Sequence, residues 1–381
     1  MKKYRIDEIT ENLDNLRKPL NSIQRSRISQ KKLYPYYGAN SLIDYVDEYI
    51  FDEEILCVAE DGGSWGYKEK CTYIVNEKCW VNNHAHVLRA KDNLNIAYLS
   101  YYLNYNDLNS HITGTTRGKL TKSALSNIEI LLPELEKQNI IVEILDKAQQ
   151  LIDKRKKQIE SLDELVKSQF IEMFGDKDKY TYIKIEQLVS NKSDIVDGPF
   201  GSNLKTVDYV DDGVRVIQIN NIGESNFRDK NKKYITEEKY KSLLKHSVVP
   251  GDIVVAKMGE PIGRACILPD YISKAVIVAD CMKIRPNLAI INRKYLEFLL
   301  NTEEVKAQFR KYSQGSTRVR LNLTMLRQIK VLYPPIELQN QFADFVKQVD
   351  KLKFEMEKSL KELEDNFNSL MQKAFKGELF N

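Results

Sequence analysis

The chain has 381 residues, of which 42% are hydrophobic and 29% charged, and its formal net charge is +4 at pH 7. This length and composition suffice for two domains with buried cores, and they exclude a mainly disordered chain. The small positive charge permits contact with a polyanion without indicating one, because the distribution of charges matters more than their sum.

The first residues, 1–8, include basic side chains but no apolar run follows them, which predicts that the chain has no signal peptide. No segment approaches the apolar length that a transmembrane helix needs, so we expect a cytoplasmic protein without a membrane partner. The cysteines are odd in number and form no Cys-x-x-Cys pair, so free buried thiols are expected rather than disulfides or zinc: Cys57, Cys71, Cys79, Cys266 and Cys281.

Residues 1–132 are predicted to form a first globular domain of mixed α and β structure. Short apolar runs at 54–59 and 71–75 indicate strands, and the glycine-rich stretch 62–66 indicates a turn between them. A helix is expected near 96–105.

Residues 133–176 are predicted to form one long helix. An apolar residue recurs at every seventh position, as in a coiled-coil seam, at Leu145, Ile152, Ile159, Val166 and Met173. A second track contains Ile141, Ala148 and Leu162, interrupted by Arg155 and Gln169. Because helix propensity alone stabilises so long a helix only marginally, it needs a partner.

Residues 334–381 supply that partner, after a second globular domain over 177–333. The main apolar track of this second helix is Phe342, Val349, Met356, Leu363 and Leu370. Subtracting 201 places this track on the first helix, and the agreement extends upstream, since 114–117 matches 315–318 and Gln138-Asn139 matches Gln339-Asn340. We interpret this as an internal duplication of a domain followed by a helix.

The duplication predicts an α+β protein with two globular domains in a pseudo-two-fold arrangement, separated by two long antiparallel coiled-coil helices. Arg155, Gln169 and Lys353 interrupt the seam. We expect them at its edge, with packed stems and hydrated heads. The alternative is that they fix the register of the helices.

Motifs for catalysis are not found in the sequence. There is no phosphate-binding Gly-x-x-x-x-Gly-Lys-Ser/Thr loop, and the only Pro-Pro pair lacks the flanks of an amino-methyltransferase motif. Asp270 and Asp280 precede Lys283 at a spacing that does not fit a nuclease centre. His84 and His86 could share one face of a strand, but without a third ligand a structural role is favoured over a metal site. We therefore expect a binding protein with no catalytic residues and no metal.

Polar and basic loops are the candidate contacts to DNA, because free N–H groups beside guanidinium groups suit phosphates and side-chain amides can read base edges. In the first domain the candidates are Arg25, Arg27, Lys31, Lys32, Tyr36, Asn40, Thr115, Thr116, Arg117 and Lys119. In the second domain they are Ser202, Asn203, Lys205, Gln218, Asn220, Asn221, Lys257, Arg264, Ser316, Thr317, Arg318 and Arg320. The alternative for the repeated Gly-Thr/Ser-Thr-Arg loop is a polar turn that caps the next strand.

Four sequence features together resemble the specificity (S) subunits of type I restriction–modification systems. They are Asp-Gly-Pro-Phe-Gly-Ser-Asn-Leu-Lys at 197–205, Gly-Thr/Ser-Thr-Arg before each helix, a proline followed by Glu-x-Gln at each helix start, and residues 370–379. The first domain has no Gly-Pro-Phe-Gly. The resemblance covers nearly the whole chain.

This resemblance implies two target-recognition domains, each reading one half of a split site in double-stranded DNA. It also implies that the helices separate the half-sites and dock two adenine-N6 methyltransferase (M) subunits, to which restriction (R) subunits are added. S-adenosylmethionine, ATP and Mg²⁺ would be bound by those partners, and none by this chain.

Two other classes remain open from the residues alone. A coiled-coil scaffold without DNA specificity would bind protein with little dependence on salt, whereas phosphate contacts weaken steeply as salt rises. A stand-alone nuclease would need a metal site that the sequence does not offer.

Overall fold

The computed structural model describes residues 2–114, 116–313 and 320–380. Its chain divides into two compact units, unit 1 comprising Met1–Gln158 with Met356–Asn381, and unit 2 comprising Ile159–Glu355. Each unit therefore combines one globular region with parts of both long helices. The expected α+β class is confirmed.

Unit 1 begins with a strand that pairs with the strand before the first long helix. In chain order its elements are β1 (Lys2–Arg5), α1 (Ile6–Ile9), β2 (Thr10–Asn12), α2 (Ser22–Arg27), β3 (Tyr34–Tyr37), β4 (Leu42–Val46), β5 (Ile55–Ala59), β6 (Thr72–Val75), β7 (Trp80–Val81), β8 (Ala85–Ala90), α3 (Ile96–Tyr105), β9 (Ile112–Thr113), β10 (Lys119–Leu120), α4 (Lys122–Ser126), β11 (Glu129–Leu132) and the first part of α5 (Leu135–Phe174).

The main sheet of unit 1 has the strand order β2-β8-β5-β6, and a second sheet has the order β4-β3-β7. All five residues of β5, Ile-Leu-Cys-Val-Ala, are buried, as a continuous apolar run in a central strand requires. The predicted strands at 54–59 and 71–75 are β5 and β6, which pair antiparallel. The predicted helix at 96–105 is α3, which Asn95 caps by accepting the backbone N–H groups of Ala97 and Tyr98.

Unit 2 repeats the main features of this plan, with four strands instead of three in its second sheet. In chain order its elements are β12 (Thr181–Lys184), β13 (Ile195–Asp197), β14 (Val214–Ile217), β15 (Lys233–Ile235), α6 (Glu237–Ser242), β16 (Ser247–Val248), β17 (Ile253–Ala256), β18 (Ala265–Ile267), β19 (Ala275–Ile277), β20 (Cys281–Ile284), α7 (Arg293–Leu300), α8 (Glu303–Ser313), α9 (Leu323–Gln328), β21 (Lys330–Tyr333) and the first part of α10 (Ile336–Lys376). Its sheets have the orders β13-β20-β17-β18 and β15-β14-β19-β16.

The two long helices, α5 and α10, pack together in each unit. In unit 2, Lys353 of α10 forms an ion pair with Asp163 of α5 at 2.7 Å, and the rings of Phe170 and Phe342 lie 5.6 Å apart. Residue numbers rise along one helix as they fall along the other, so the helices run antiparallel there. The head of Lys353 is thus held by the opposite helix rather than by water alone.

The ten residues assigned to the seam are all buried or half-buried. The buried ones are Leu145, Ile152, Leu162, Phe342 and Val349. The half-buried ones are Ile159, Val166, Met356, Leu363 and Leu370. In unit 1, Leu145 shares one core with Met371, Ala374 and Phe375.

The start of α5 corrects the predicted start of the first long helix, and glycines follow the ends of both helices. Helix α5 begins at Leu135, so Pro133 precedes the helix rather than forming its first turn. Gly175 does not take a left-handed conformation; a Cβ there would lie 2.4 Å from the carbonyl oxygen of Ile171, so the close approach explains the glycine. Gly377, with φ of 77°, is the left-handed residue that follows α10.

The duplication is visible at the level of single hydrogen bonds. Gln138 is fully buried and its side chain accepts the backbone N–H of Asn95 at 2.8 Å while donating to the carbonyl of Pro133 at 2.9 Å. Gln339 is equally buried, accepting from Asn292 at 2.9 Å and donating to Pro334 at 2.8 Å. Each long helix is therefore joined to its globular region by the same buried amide.

Two properties expected from the sequence are also seen. All five cysteines are buried and free, in agreement with the prediction. Within the described residues, no helix has the length and apolarity that crossing a membrane requires.

Candidate nucleic-acid interface

The hairpin β9–β10 of unit 1 carries one copy of the repeated loop. Gly114 begins its turn with φ of +95°, and a Cβ there would lie 2.5 Å from the carbonyl oxygen of Arg117, so only glycine fits. Thr116, Arg117 and Lys119 are exposed. The hairpin thus presents a hydroxyl group and two cationic side chains to solvent.

Two acidic residues after β5 hold these cations. The guanidinium of Arg117 lies 2.7 Å from Asp61, and the ammonium of Lys119 lies 2.9 Å from Glu60. Asp61 also accepts from His84 Nδ1 at 2.8 Å. Both cations remain about half exposed or more, with 66% and 49% of their side-chain surface accessible. The carboxylates are far less exposed, at 18% and 12%, so the cations face solvent while their acidic partners lie against the fold.

A buried charge network lies beneath this hairpin. His86 Nδ1 is 2.6 Å from Asp14 and its Nε2 is 2.7 Å from the carbonyl oxygen of Leu120. Arg17 lies 2.7 Å from Glu60 and 3.3 Å from Asp14. Burial alone would raise the pKa of the Asp14 carboxyl, but hydrogen bonds and charge from His86 outweigh it and lower that pKa. The pKa of Glu60 is lowered against the same burial by Arg17 and Lys119.

The ligand-type atoms of Asp14, Glu60 and His86 all lie within 4.8 Å of one another. The cation that they surround is the guanidinium of Arg17, which bonds both carboxylates. Sequence reasoning gave His84 and His86 a structural role, and each is hydrogen-bonded to an aspartate in the structure. It missed Asp14, Arg17 and Glu60, which have no local motif.

The other basic candidates of unit 1 surround β3. Arg25 lies 5.4 Å from the ring centroid of Tyr36 and forms an ion pair with Asp44 at 3.1 Å. Tyr36 is only 1% exposed, so it supports Arg25 from inside the core. The remaining candidates there are exposed: Arg27, Lys31, Lys32 and Asn40.

In unit 2 the structure separates exposed candidates from buried ones. Asn203, Lys205, Asn220 and Arg320 are exposed, and Gln218 is half-buried. Asn221 is fully buried and its side-chain amide donates to the carbonyls of Arg228 and Lys230. In this conformation Asn221 offers no free polar atom to a base; it holds its own loop.

Lys257 and Arg264 are likewise engaged within unit 2. Only 3% of the Lys257 side chain is exposed, and its ammonium pairs with Asp197 at 3.1 Å and lies 4.8 Å from the Phe200 ring. The Arg264 guanidinium donates to the carbonyls of Ile222 and Ile219 at 2.7 and 3.1 Å. Burial, followed by the nearby charge of Arg228, lowers the pKa of Arg264. These cations shape the loops rather than face solvent.

Some candidates lie outside the described part of the chain. These are Thr115, Ser316, Thr317 and Arg318, together with the side chain of Ser202. Contact of any candidate with DNA stays a prediction.

The fold and the cationic loops together define a protein with two copies of a domain-plus-helix unit, each with its own polar surface. The chain matches the family model of the type I restriction modification DNA specificity domain over residues 1–163 and 173–365. Because this match covers most of the chain, the protein belongs to that family, and the resemblance drawn from the sequence is confirmed.

Curated relatives carry the same description. A putative type I restriction enzyme specificity subunit, S.HindORF215P of Haemophilus influenzae, is 39% identical over 141 residues, which are 37% of this chain and 35% of that relative. The match thus spans about a third of that relative's length. The MjaVIII specificity subunit of Methanocaldococcus jannaschii is 26% identical over 299 residues, 74% of this chain and 70% of that one.

Solved structures share the fold. A type I restriction–modification S subunit from M. genitalium has a TM-score of 0.59 at 15% identity, covering 98% of this chain and 96% of that one. A chain from a study of complex assembly and conformational transition of the type I R-M system has a TM-score of 0.55 at 16% identity, covering 99% and 98%. At these identities the likeness concerns the fold alone.

Proposed function

We propose that this chain is the DNA-recognition subunit of a type I restriction–modification complex, and that it reads a bipartite site with one half-site per globular region. The observation that carries the proposal is the repeated joint between each globular region and its helix, made by Gln138 and by Gln339. Identical joints with different exposed loops are expected where one scaffold reads two different sequences.

In this proposal the exposed cations contact phosphates and the exposed amides read base edges. Arg117 and Lys119 serve in the first region, and Asn203, Lys205 and Arg320 in the second. The buried Asn221 and Lys257 and the half-buried Arg264 hold the loops that carry these contacts. Their role is to fix loop shape before DNA arrives, which lowers the entropy cost of binding.

The chemistry of the reaction is assigned to partner subunits. Two M subunits would bind the long helices and transfer the methyl group of S-adenosylmethionine to adenine N6, and R subunits would use ATP and Mg²⁺. This chain would contribute recognition without catalytic residues. The relative from the study of type I complex assembly and family membership support this assignment.

Methylation mapping tests the proposal directly. The chain is expressed with its neighbouring methyltransferase in a host free of adenine methylation, and the methyltransferase alone is the control. A split motif that appears only with this chain is the expected result. No new methylation from a soluble, assembled complex would favour a protein scaffold, whose binding would also vary little with salt.

A further inference from the structure

The buried network of unit 1 places one titratable ring between the sheet and the candidate DNA hairpin. His86 is 1% exposed and lies on β8, opposite Val58 of β5. Its two ring nitrogens meet two different elements: Nδ1 meets Asp14 after β2, and Nε2 meets the Leu120 carbonyl at the end of β10. One side chain thus bridges the hairpin to the core.

Both contacts require a proton on the ring. The Leu120 carbonyl oxygen can only accept, so Nε2 must donate. The Asp14 carboxylate also accepts from the backbone N–H of Val87 at 2.9 Å and pairs with Arg17, which keep it ionised, so Nδ1 must donate as well. A neutral imidazole carries only one N–H group. Either the Asp14 carboxylate or the Leu120 carbonyl would then face the lone pair of an unprotonated ring nitrogen. The geometry therefore fits the doubly protonated ring.

The charged groups around His86 allow this cation. Asp14 and Arg17 face it from the segment after β2, and Glu60 lies 3.7 Å from Nδ1 after β5. Lys119 of β10 reaches Glu60 from the far side. Two carboxylates thus stand beside Arg17 and His86, with Lys119 exposed at the rim.

Leu120 is held at both of its backbone polar groups. Its N–H donates to the carbonyl of Glu60 at 2.8 Å, and its carbonyl accepts from His86 at 2.7 Å. It directly follows Lys119 and is three residues after Arg117. Loss of the His86 contact would therefore loosen the hairpin that presents these two cations.

Unit 2 has no histidine at the position equivalent to His86; the ring of its His246 instead lies 2.6 Å from the backbone carbonyl oxygen of Asp197. Strand pairing aligns Val58 opposite His86 and Val255 opposite Met282, so Met282 takes the place of His86. Asp197 corresponds to Asp14 in the same alignment, and its cation is Lys257. The backbone carbonyl of Lys257 accepts from the N–H of Leu321 at 2.8 Å, as that of Glu60 does from Leu120.

We propose that His86 is a positioning residue that holds the β9–β10 hairpin for DNA through the hydrogen bonds of both its ring nitrogens. The first half-site would then be bound less tightly once either of these bonds is lost, and the second half-site would not change. The proposal rests on the proposed function, because it assigns a role to the hairpin in DNA binding.

The first test needs no DNA. The chain is labelled with ¹⁵N-histidine, and His86 is identified among the four histidines by its absence from the His86→Met variant. Two protonated ring nitrogens are expected in the buffer used for DNA binding, and hydrogen exchange of 112–114 and 116–120 should be faster in His86→Met than in wild type. A ring with one bare nitrogen, or unchanged exchange in His86→Met, would overturn the proposal.

The second test uses the complex with its methyltransferase and a duplex that carries the mapped motif, at constant ionic strength. The affinity of His86→Met is expected to be roughly tenfold below that of wild type, the loss of one charge-assisted hydrogen bond. In Asp14→Asn a neutral ring can still donate Nε2–H to Leu120 and accept from the new amide, so affinity should stay near that of wild type.

The outcomes separate the two proposals. No motif-specific binding at any pH would count against the proposed function itself. Specific binding that is equally tight in wild type and in His86→Met would overturn the role of His86 alone. Tryptophan emission of each variant verifies that unit 1 is folded, since Trp65 and Trp80 are both buried there.

Discussion

Replacing Gln138 by methionine tests the buried joint between the first globular region and α5. Methionine nearly preserves the volume of the side chain but cannot form the hydrogen bonds to Asn95 and Pro133. Two buried backbone groups would then lack a partner, at about 1–3 kcal/mol each. We expect unit 1 to lose about 2–6 kcal/mol of unfolding free energy.

Both tryptophans of the chain, Trp65 and Trp80, are buried in unit 1, so their fluorescence follows the unfolding of that unit. With a urea dependence of about 2 kcal/mol per molar, the midpoint of the fluorescence transition should fall by about 1–3 M in Gln138→Met.

Two matched variants make this result interpretable. Gln150→Met makes the same chemical change at an exposed position of α5, and should shift the midpoint by less than about 0.3 M. Gln339→Met breaks the equivalent joint in unit 2 and should leave the tryptophan transition nearly unchanged. An unchanged midpoint in Gln138→Met would refute the reasoning that this joint stabilises unit 1.

Three further predictions concern charge and length. Arg117→Ala should weaken DNA binding without altering the methylated motif and should reduce the slope of log affinity against log salt by about one; an altered motif would show that Arg117 reads bases. Asp14 and Glu60 have lowered pKa values in the folded state, so their stabilisation is present above about pH 4 and is lost as pH falls through those lowered values. The urea midpoint from tryptophan should therefore fall on acidification, and less steeply in Asp14→Asn; equal slopes would contradict this. Inserting four residues between Ile159 and Leu162, about 6 Å of helix, should widen the spacer of the mapped motif by about two base pairs, and an unchanged motif would exclude the helices as the ruler.

The sequence was sufficient for the features that recur at regular spacing. The seven-residue period located both long helices to within a few residues. The shift of 201 also places Gln138 and Gln339 at equivalent positions of the repeat. It could not give the order of the strands, because β2, β5 and β8 come together from distant parts of the chain.

The candidate site was only partly predictable, for a physical reason. Residue type indicates that a cation is present, but not which carboxylate or carbonyl group it pairs with or how exposed it is. Arg117 and Lys257 look alike in sequence, yet Arg117 is exposed, whereas Lys257 is buried against Asp197. The network around His86 was missed because its members are up to 72 residues apart and follow no local motif.

The numbering of equivalent residues shows where the two units differ in length. Ile6 and Ile185, which start equivalent turns, are 179 residues apart; Asn95 and Asn292 are 197 apart; Gln138 and Gln339 are 201 apart. The extra length of unit 2 therefore lies between these points. The joints at either end are unchanged.

A globular region attached by an unchanged joint can be exchanged as a whole for another region of the same kind. Any sequence that opens with a strand pairing like β1 and β12, and offers the backbone N–H of a helix-capping asparagine to the buried glutamine, could be fitted to either long helix. New DNA specificities could then arise by exchange of whole regions between proline-marked boundaries at Pro133 and Pro334, with the helices left untouched.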